Sequence, residues 1–463
     1  SFQVSCSYGP GRYDPAYERD GHDYPFGLVR WTEQRNFEAV LDLLAAGTLD
    51  VQPLVTHRFA LADAPRAYDI LAGNTEPYLG IVLEYGQRAS AAPPQRTIQL
   101  AQLATREPQP GAAPALGVIG AGNYAARVLI PAFVRGAPRL IAIASNGGVT
   151  AAHLGRKFGF AEVSTDAAAV ISDPRVNVVV IATRHDTHAA LAAQALRAGK
   201  HVFVEKPLAL TLDELEALEV AYAVHNVQTA HADRADQASQ ASQAGDVGQA
   251  GRRPLLMVGF NRRFAPHVRR MKSLLQTLPG PKSLLVTVNA GAIPGSHWTQ
   301  SVSEGGGRLV GEGCHFIDLM RFLTGAPITG WQVAALGSPA TGGFENDKVT
   351  VTLSFADGSV GTLHYLASGH ASFPKERVEV FCGGRILQLD NFRRLRGFGF
   401  GARGSLRLWR QDKGQEACVS AFLEAVRAGT PSPIPFAELL EVSRFSIAVG
   451  EAARQQGFAP CPP

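Results

Sequence analysis

Between residues 115 and about 260, short unbroken apolar runs alternate with stretches whose apolar positions recur at helical spacing. The runs at 116–119, 140–144, 176–182, 201–205 and 255–260 read as strands, and 187–198 and 211–223 as helices. A strand apolar on both sides is buried on both sides, so this half predicts a doubly wound α/β unit with a parallel sheet. Beyond about 261 the period shortens to two. Val349-Thr350-Val351-Thr352-Leu353 alternates, Asp357-Gly358 turns, and the chain returns through 360–366. A second hairpin runs from 378–382 through Gly383-Gly384 to 386–389. Asp-Gly and Gly-Gly between alternating runs are hairpin turns, so the second half predicts an α+β domain built on an antiparallel sheet. Helices near 420–428 and 436–456 are expected to cover one face of the fold.

Ahead of these two domains, residues 1–88 pattern poorly. Asn36 can cap a helix carrying Phe37, Val40, Leu41 and Leu44, with Gly47 as its stop. Asp63 can cap another through Tyr68 and Leu71, and 78–85 reads as a strand. So few elements cannot bury a core alone. A Pro/Ala/Gln-rich stretch over 89–114 reads as a linker. Residues 231–253 hold almost no large apolar side chain and read as a mobile insertion.

Composition narrows the class. The chain has 463 residues, a formal net charge of +4, and 46% hydrophobic and 18% charged residues, an ordinary globular balance. The charge is too small and dispersed for nucleic acid. Cys6, Cys314, Cys382, Cys418 and Cys461 form no Cys-x-x-Cys pair, and the histidines do not cluster, so we expect reduced thiols, no metal and a cytoplasmic location. No apolar run is long enough for a bilayer. The chain begins at Ser1 rather than methionine, so its natural start is expected upstream.

The run ending at Ile119 meets Gly120-Ala121-Gly122-Asn123-Tyr124-Ala125, and a helical pattern begins at once. Strand, glycine turn and helix in that order form a dinucleotide-binding arrangement. Gly120 permits the turn, Gly122 lets a pyrophosphate approach, and Ala125 lets the helix sit close on the strand. Asn123 and Tyr124 open that helix, whose N-terminus favours phosphate. The next strand end, Ala144-Ser145-Asn146-Gly147, offers no carboxylate for ribose hydroxyls. The cofactor is therefore NAD or NADP, with a lean to NADP. Ligands in such sheets bind beyond the strand ends, where Thr183, His185, His188, Glu205 and Lys206 fall. Lys206, followed by Pro207, can donate a proton to a carbonyl oxygen; the bland alternative is a surface lysine before a turn. Arg262 and Arg263 could bind a substrate anion or pair with helix carbonyls. Trp298, beside His297 in a Gly/Ser-rich loop, could stack on a sugar or pack within the loop.

Several pieces together resemble the glucose–fructose oxidoreductase/inositol dehydrogenase/MocA (Gfo/Idh/MocA) family. They are Gly120-x-Gly122-x-x-Ala125, Ala195-Leu196-x-Ala198-Gly199-Lys200-His201-Val202-x-x-Glu205-Lys206-Pro207, Gly259-Phe260-x-Arg262-Arg263-Phe264, and Gly305-Gly306-Gly307 with Cys314-His315-Phe316-Ile317-Asp318. They run in the family's order over about 115–455. The resemblance implies a Rossmann domain over 115–260 and, over 261–463, a substrate and oligomerisation domain with a large open sheet. It also implies Lys206 and His315 as acid/base pair, a cis bond before Pro207, and hydride exchange with a secondary alcohol or carbonyl of a sugar, sugar nucleotide or cyclitol. Homo-oligomers through the second sheet are expected.

One position departs. Many members carry aspartate four residues before the histidine, where this chain has Gly311. Glu312 could take that role or orient His315 from the same helix face, or only cap the helix. Two other functions stay open: a non-catalytic dinucleotide sensor or scaffold, and an elimination or glycoside cleavage that recycles its cofactor. Residues 1–88 resemble the C-terminal tail of a zinc-type medium-chain alcohol dehydrogenase, through Ser7-Tyr8-Gly9-Pro10-Gly11-Arg12-Tyr13 and Tyr24-Pro25-x-Gly27-x-Val29-Arg30-Trp31.

Overall fold

A computed structural model describes residues 8–85, 96–100, 114–223, 253–337 and 344–455. Nearly all of the expected insertion at 231–253, most of the linker, Cys6 and Cys461 lie outside the described residues. The chain divides into two units, Ser1–Pro94 and Gln95–Pro463.

In the first unit, Val55–Ala60 (β1) and Gly80–Glu84 (β2) pair in parallel, joined through a helix at Ala64–Gly73. The preceding helix, Glu33–Ala45, starts earlier than expected. Thr32 holds its N-cap position, and Asn36 instead donates from Nδ2 to the Tyr8 carbonyl at 3.0 Å. Phe37 and Leu41 on that helix remain exposed.

The second unit opens with a seven-stranded sheet of Thr97–Gln99 (β3), Ala115–Ile119 (β4), Arg139–Ala144 (β5), Glu162–Ser164 (β6), Val178–Ile181 (β7), His201–Val204 (β8) and Leu256–Val258 (β9). Its order is β3-β6-β5-β4-β7-β8-β9, parallel throughout except for β3. Every residue of β4 and β7 is buried, as expected of strands covered on both faces. The edge strand β3 corrects the reading of 89–114 as linker throughout. It is short and its side chains are mostly exposed, so it has no apolar run to announce it.

The order reverses between β4 and β7, which opens the ligand crevice at the C-terminal ends of those strands. The helix after β4 begins with a wide π turn, Ala125–Leu129, and continues as Ile130–Arg135. Pro131, in the first turn of the second segment, has no N–H to give to a carbonyl four residues back, and the wider turn accommodates it.

The second sheet contains Ser283–Asn289 (β10), Ile328–Gly337 (β11), Phe344–Phe355 (β12), Val360–Leu366 (β13), Glu376–Cys382 (β14), Arg385–Asp390 (β15), Arg394–Phe398 (β16) and Leu406–Arg407 (β17). The order is β11-β12-β13-β10-β14-β15-β16-β17, antiparallel apart from β10 with β13. Buried and half-exposed residues alternate along β10 and β13, leaving one face on the core and one open. Helices Cys314–Thr324 and Phe436–Gln455 pack on the buried face. Helix Gln415–Ala428 returns to the first sheet, where Phe422 meets Phe203 edge-on at 5.6 Å. It begins at Gly414 (φ +84°), where a Cβ would lie 2.4 Å from the Ala265 nitrogen.

Candidate active site

The turn after β4 has the form a diphosphate needs. Gly120 has φ +108°, and a Cβ there would lie 2.3 Å from the Ala182 carbonyl oxygen, so only glycine fits. A Cβ on Gly122 would meet nothing within 4 Å. That side of the turn is an open cradle above the start of a helix, and the residues present fit a dinucleotide. Ala125 is buried against the sheet. At the end of β5, Ser145 bonds the Thr150 hydroxyl at 3.2 Å and Asn146 is exposed.

Beyond the strand ends lies a cavity of about 570 Å³. Tyr124, Thr183, His185, His188, Glu205 and Lys206 line it from the first domain. Arg262, His297, Trp298, Glu312 and His315 line it from the second. Gly120, Gly122, Asn123, Ala125, Ser145, Asn146 and Arg263 do not.

Lys206 stands two residues beyond the end of β8, and the Lys206–Pro207 bond is cis. Its Nζ donates to the Gly311 carbonyl at 2.8 Å, which ties the two domains' walls together. His188 is fully buried, and its Nδ1 and Nε2 lie 2.8 Å from the Pro207 carbonyl and 3.2 Å from that of Thr183. Burial lowers its pKa to about 4, so the ring is neutral and has one N–H for the two carbonyls. His188 therefore braces the loop that carries Lys206. His185 is likewise held neutral, at about 3, by burial and the Lys206 charge. Its Nδ1 meets the Gly305 carbonyl at 2.9 Å, and a Cβ on Gly311 would press on its Cε1 at 2.9 Å. Trp298 packs edge-on against His185 at 4.8 Å, so this face of the indole is engaged within the protein. His297 is exposed and caps the short turn at Trp298–Gln300.

His315 is 6% exposed, and its Nδ1 is buried with no hydrogen-bond partner among the described residues. Burial first, then Arg262 and Lys206, hold its pKa well below the ordinary value. The site thus pairs a neutral imidazole, one nitrogen unsatisfied, with an ammonium group. Glu205 beside Lys206 is also buried. Desolvation raises its pKa to about 7, against the opposing pull of Lys206 and the Tyr124 hydroxyl. A Cβ on Gly259 would lie 2.7 Å from the Glu205 Oε1, which accounts for the glycine that opens the Gly259-Phe260 segment.

Three expectations are corrected by these contacts. Glu312 does not reach His315. It accepts from Tyr365 Oη at 2.6 Å, Lys375 Nζ at 2.9 Å and Arg308 at 3.3 Å. Burial raises its pKa, but Lys375 and Tyr365 outweigh it and hold the carboxyl at about 2. Arg262 is in the cavity wall, yet its guanidinium donates twice to Glu376, at 2.9 Å each. Arg263 is 4% exposed and pairs with Asp318 at 2.5 Å and Glu438 at 2.9 Å. Neither arginine is free for a substrate, because releasing either would strand a buried charge. Tyr365, Lys375 and Lys413 were not legible beforehand. They come from β13, the loop before β14 and the loop before the helix at Gln415–Ala428, segments with no motif.

Comparison with known proteins follows this geometry. Residues 115–232 match the sequence profile of an oxidoreductase family's NAD-binding Rossmann fold, and 283–383 match that of the family's C-terminal alpha/beta domain. A levoglucosan dehydrogenase of Pseudarthrobacter phenanthrenivorans is 27% identical over 287 residues, covering 55% of this chain and 66% of that protein. An inositol 2-dehydrogenase of Saccharopolyspora erythraea is 33% identical over 222 residues, covering 46% and 54%. The chain thus spans between about half and two thirds of the length of these curated relatives. A solved levoglucosan dehydrogenase in complex with NADH and levoglucosan has a TM-score of 0.59 at 22% identity, covering 73% of this chain and 97% of that one. At that identity the likeness is one of fold. Among the described residues no helix is long and apolar enough to cross a membrane.

Proposed function

We propose that this chain is an NAD(P)-dependent oxidoreductase of a sugar, sugar nucleotide or cyclitol, a reading supported by the match of residues 115–232 and 283–383 to the two domain profiles of the Gfo/Idh/MocA oxidoreductase family. It acts on a secondary alcohol or the matching carbonyl. The observation that carries the reading is the meeting, in one cavity at the crevice, of Lys206 and a neutral His315 whose Nδ1 has no partner among the described residues. A levoglucosan and an inositol dehydrogenase among the relatives agree with a substrate of this class.

When bound, the nicotinamide supplies or takes the hydride. Gly120, Gly122, Asn123, Tyr124 and Ala125 would hold the cofactor's diphosphate at the turn. Ser145 and Asn146 would lie beside the ribose, and the missing carboxylate there favours NADP. Lys206, steadied by the Gly311 carbonyl and the His188–Pro207 contact, gives a proton to the substrate oxygen in reduction. In oxidation the hydroxyl proton returns to Lys206 by the same path, and neutral His315 hydrogen-bonds the reacting hydroxyl. Glu312 offsets the charge of Lys375 rather than orienting the ring.

Lys206→Ala tests this. Dinucleotide affinity should hold while kcat falls by about 10²–10⁴-fold, the usual contribution of a positioned acid. Unchanged turnover would remove Lys206 from the chemistry. Cofactor binding with no hydride transfer across a broad sugar panel would favour the sensor reading, and turnover without net cofactor reduction the recycling elimination. We also propose that subunits pair through the open face of the second sheet, where Leu285, Thr362, His364 and Phe381 stay partly exposed. Light scattering on the purified chain decides that. The first unit, with its parallel β1/β2 pair, we propose as the tail of a medium-chain dehydrogenase, with no activity assigned.

A further inference from the structure

A second cavity, of about 950 Å³, opens beside the first at the same end of the large sheet. Lys375 lines both. Its walls come from the ends of β10 and β15, the loop before β14 and the strands β16 and β17. The charge is one-sided. Lys375, Arg393, Arg394 and Arg407 face a single carboxylate, Asp390, and that carboxylate already accepts from Arg377 Nε at 2.9 Å.

Two of these cations are set face to face. Arg394 sits opposite Asp390 in the β15/β16 register and opposite Arg407 in the β16/β17 register. Like charges on facing positions of an antiparallel pair destabilise it. Neither has a carboxylate partner among the described residues, whereas Lys375 has Glu312 and Arg393 donates to the Trp409 carbonyl at 3.2 Å. Facing guanidiniums at a cavity wall match the planar, multi-oxygen geometry of a phosphoryl or carboxylate group. The exposed ring of Phe373 stands in the same wall.

We propose that this cavity binds an oxyanion carried by the substrate itself, with Arg394 and Arg407 as its principal donors. The polyol end reaches past Lys375 to Lys206 and His315. The enzyme then prefers an acidic or phosphorylated polyol over its neutral counterpart. This rests on the oxidoreductase reading above for the substrate's identity, but not for the presence of an anion site.

The test uses the full chain and the double exchange Arg394→Gln/Arg407→Gln. Inorganic phosphate is titrated into both by calorimetry, with and without NADP. Losing two charge-assisted bonds should weaken phosphate by about ten- to a hundredfold. The variant should melt close to the wild type, since removing a repulsive pair offsets the loss of the cation opposite Asp390. No phosphate binding by the wild type, or equal binding by the two proteins, overturns the site. Matched neutral, phosphorylated and uronic-acid forms of hexoses and cyclitols are then turned over by both proteins. The expected result is a similar fall in kcat/KM for the anionic forms only, with dinucleotide affinity unchanged. An equal fall for neutral and anionic forms overturns the claim that the anion belongs to the substrate. If no member of the panel is turned over, the oxidoreductase reading fails, and phosphate titration still decides the anion site.

Discussion

Gly120 and Gly122 stand two residues apart in one turn, yet their replacement should fail in opposite ways. At Gly120 an added Cβ would meet the Ala182 carbonyl oxygen at 2.3 Å and its carbon at 2.5 Å, and φ is +108°. Both neighbours are backbone of the adjoining strand end and cannot swing aside. The left-handed backbone costs about 1–2 kcal/mol and the crowding about 1–3 kcal/mol, so Gly120→Ala should lose about 2–5 kcal/mol of stability. At Gly122 the same atom meets nothing within 4 Å. Gly122→Val should therefore melt like the wild type but fill the space in which a diphosphate lies. Loss of two charge-assisted bonds from the helix N-terminus is worth about 3 kcal/mol, or about a hundredfold in dinucleotide affinity. Thermal melting of the free proteins and fluorescence titration with NADP and NAD separate the two effects. A Gly122→Val protein that binds dinucleotide like the wild type, or that melts as early as Gly120→Ala, would refute the cradle.

Other consequences are simpler to state. The Glu205 carboxyl has its pKa raised from 4.5 to about 7, so its contribution to stability is full below pH 4.5 and is lost as pH rises through 7. At about 1.4 kcal/mol per unit, wild type should lose about 3 kcal/mol relative to Glu205→Gln across that window, read by urea unfolding at several pH values; a constant difference would contradict it. Asp318→Ala leaves Arg263 buried with only Glu438, and should cost about 3 kcal/mol in the same assay. A loss below about 1 kcal/mol would mean the pair is not holding the helix at Cys314–Thr324 in place.

The central strands of the parallel sheet were readable because they are apolar on both faces, and the hairpins because their turns carry Asp357-Gly358 and Gly383-Gly384. The glycine turn and the lysine after β8 were readable as local motifs. What escaped depends on distance along the chain. Arg262 and Arg263 looked like free cations because the carboxylates that bind them lie 114, 55 and 175 residues away, at Glu376, Asp318 and Glu438. The second cavity escaped for the same reason. Arg394 and Arg407 become a facing pair only through the β16/β17 register.

Glu312 is the instructive case. Three residues before His315, it shares a face with the histidine on a regular helix, and a carboxylate there would raise the basicity of the ring. The chain instead passes through a π turn at Leu309–Gly313, and Tyr365, Lys375 and Arg308 claim both carboxylate oxygens. The consequence is electrostatic. Lys206, Arg262, Lys375 and Lys413 all depress the His315 pKa. A charged imidazole among them would have to be offset by a carboxylate in contact, and none is. The ring therefore stays neutral, with a buried nitrogen that no group among the described residues satisfies. A neutral ring can hydrogen-bond the substrate hydroxyl, but the same four cations oppose its keeping the proton. By binding Lys375 rather than His315, Glu312 leaves the histidine a neutral hydrogen-bond partner and leaves the proton transfer to Lys206.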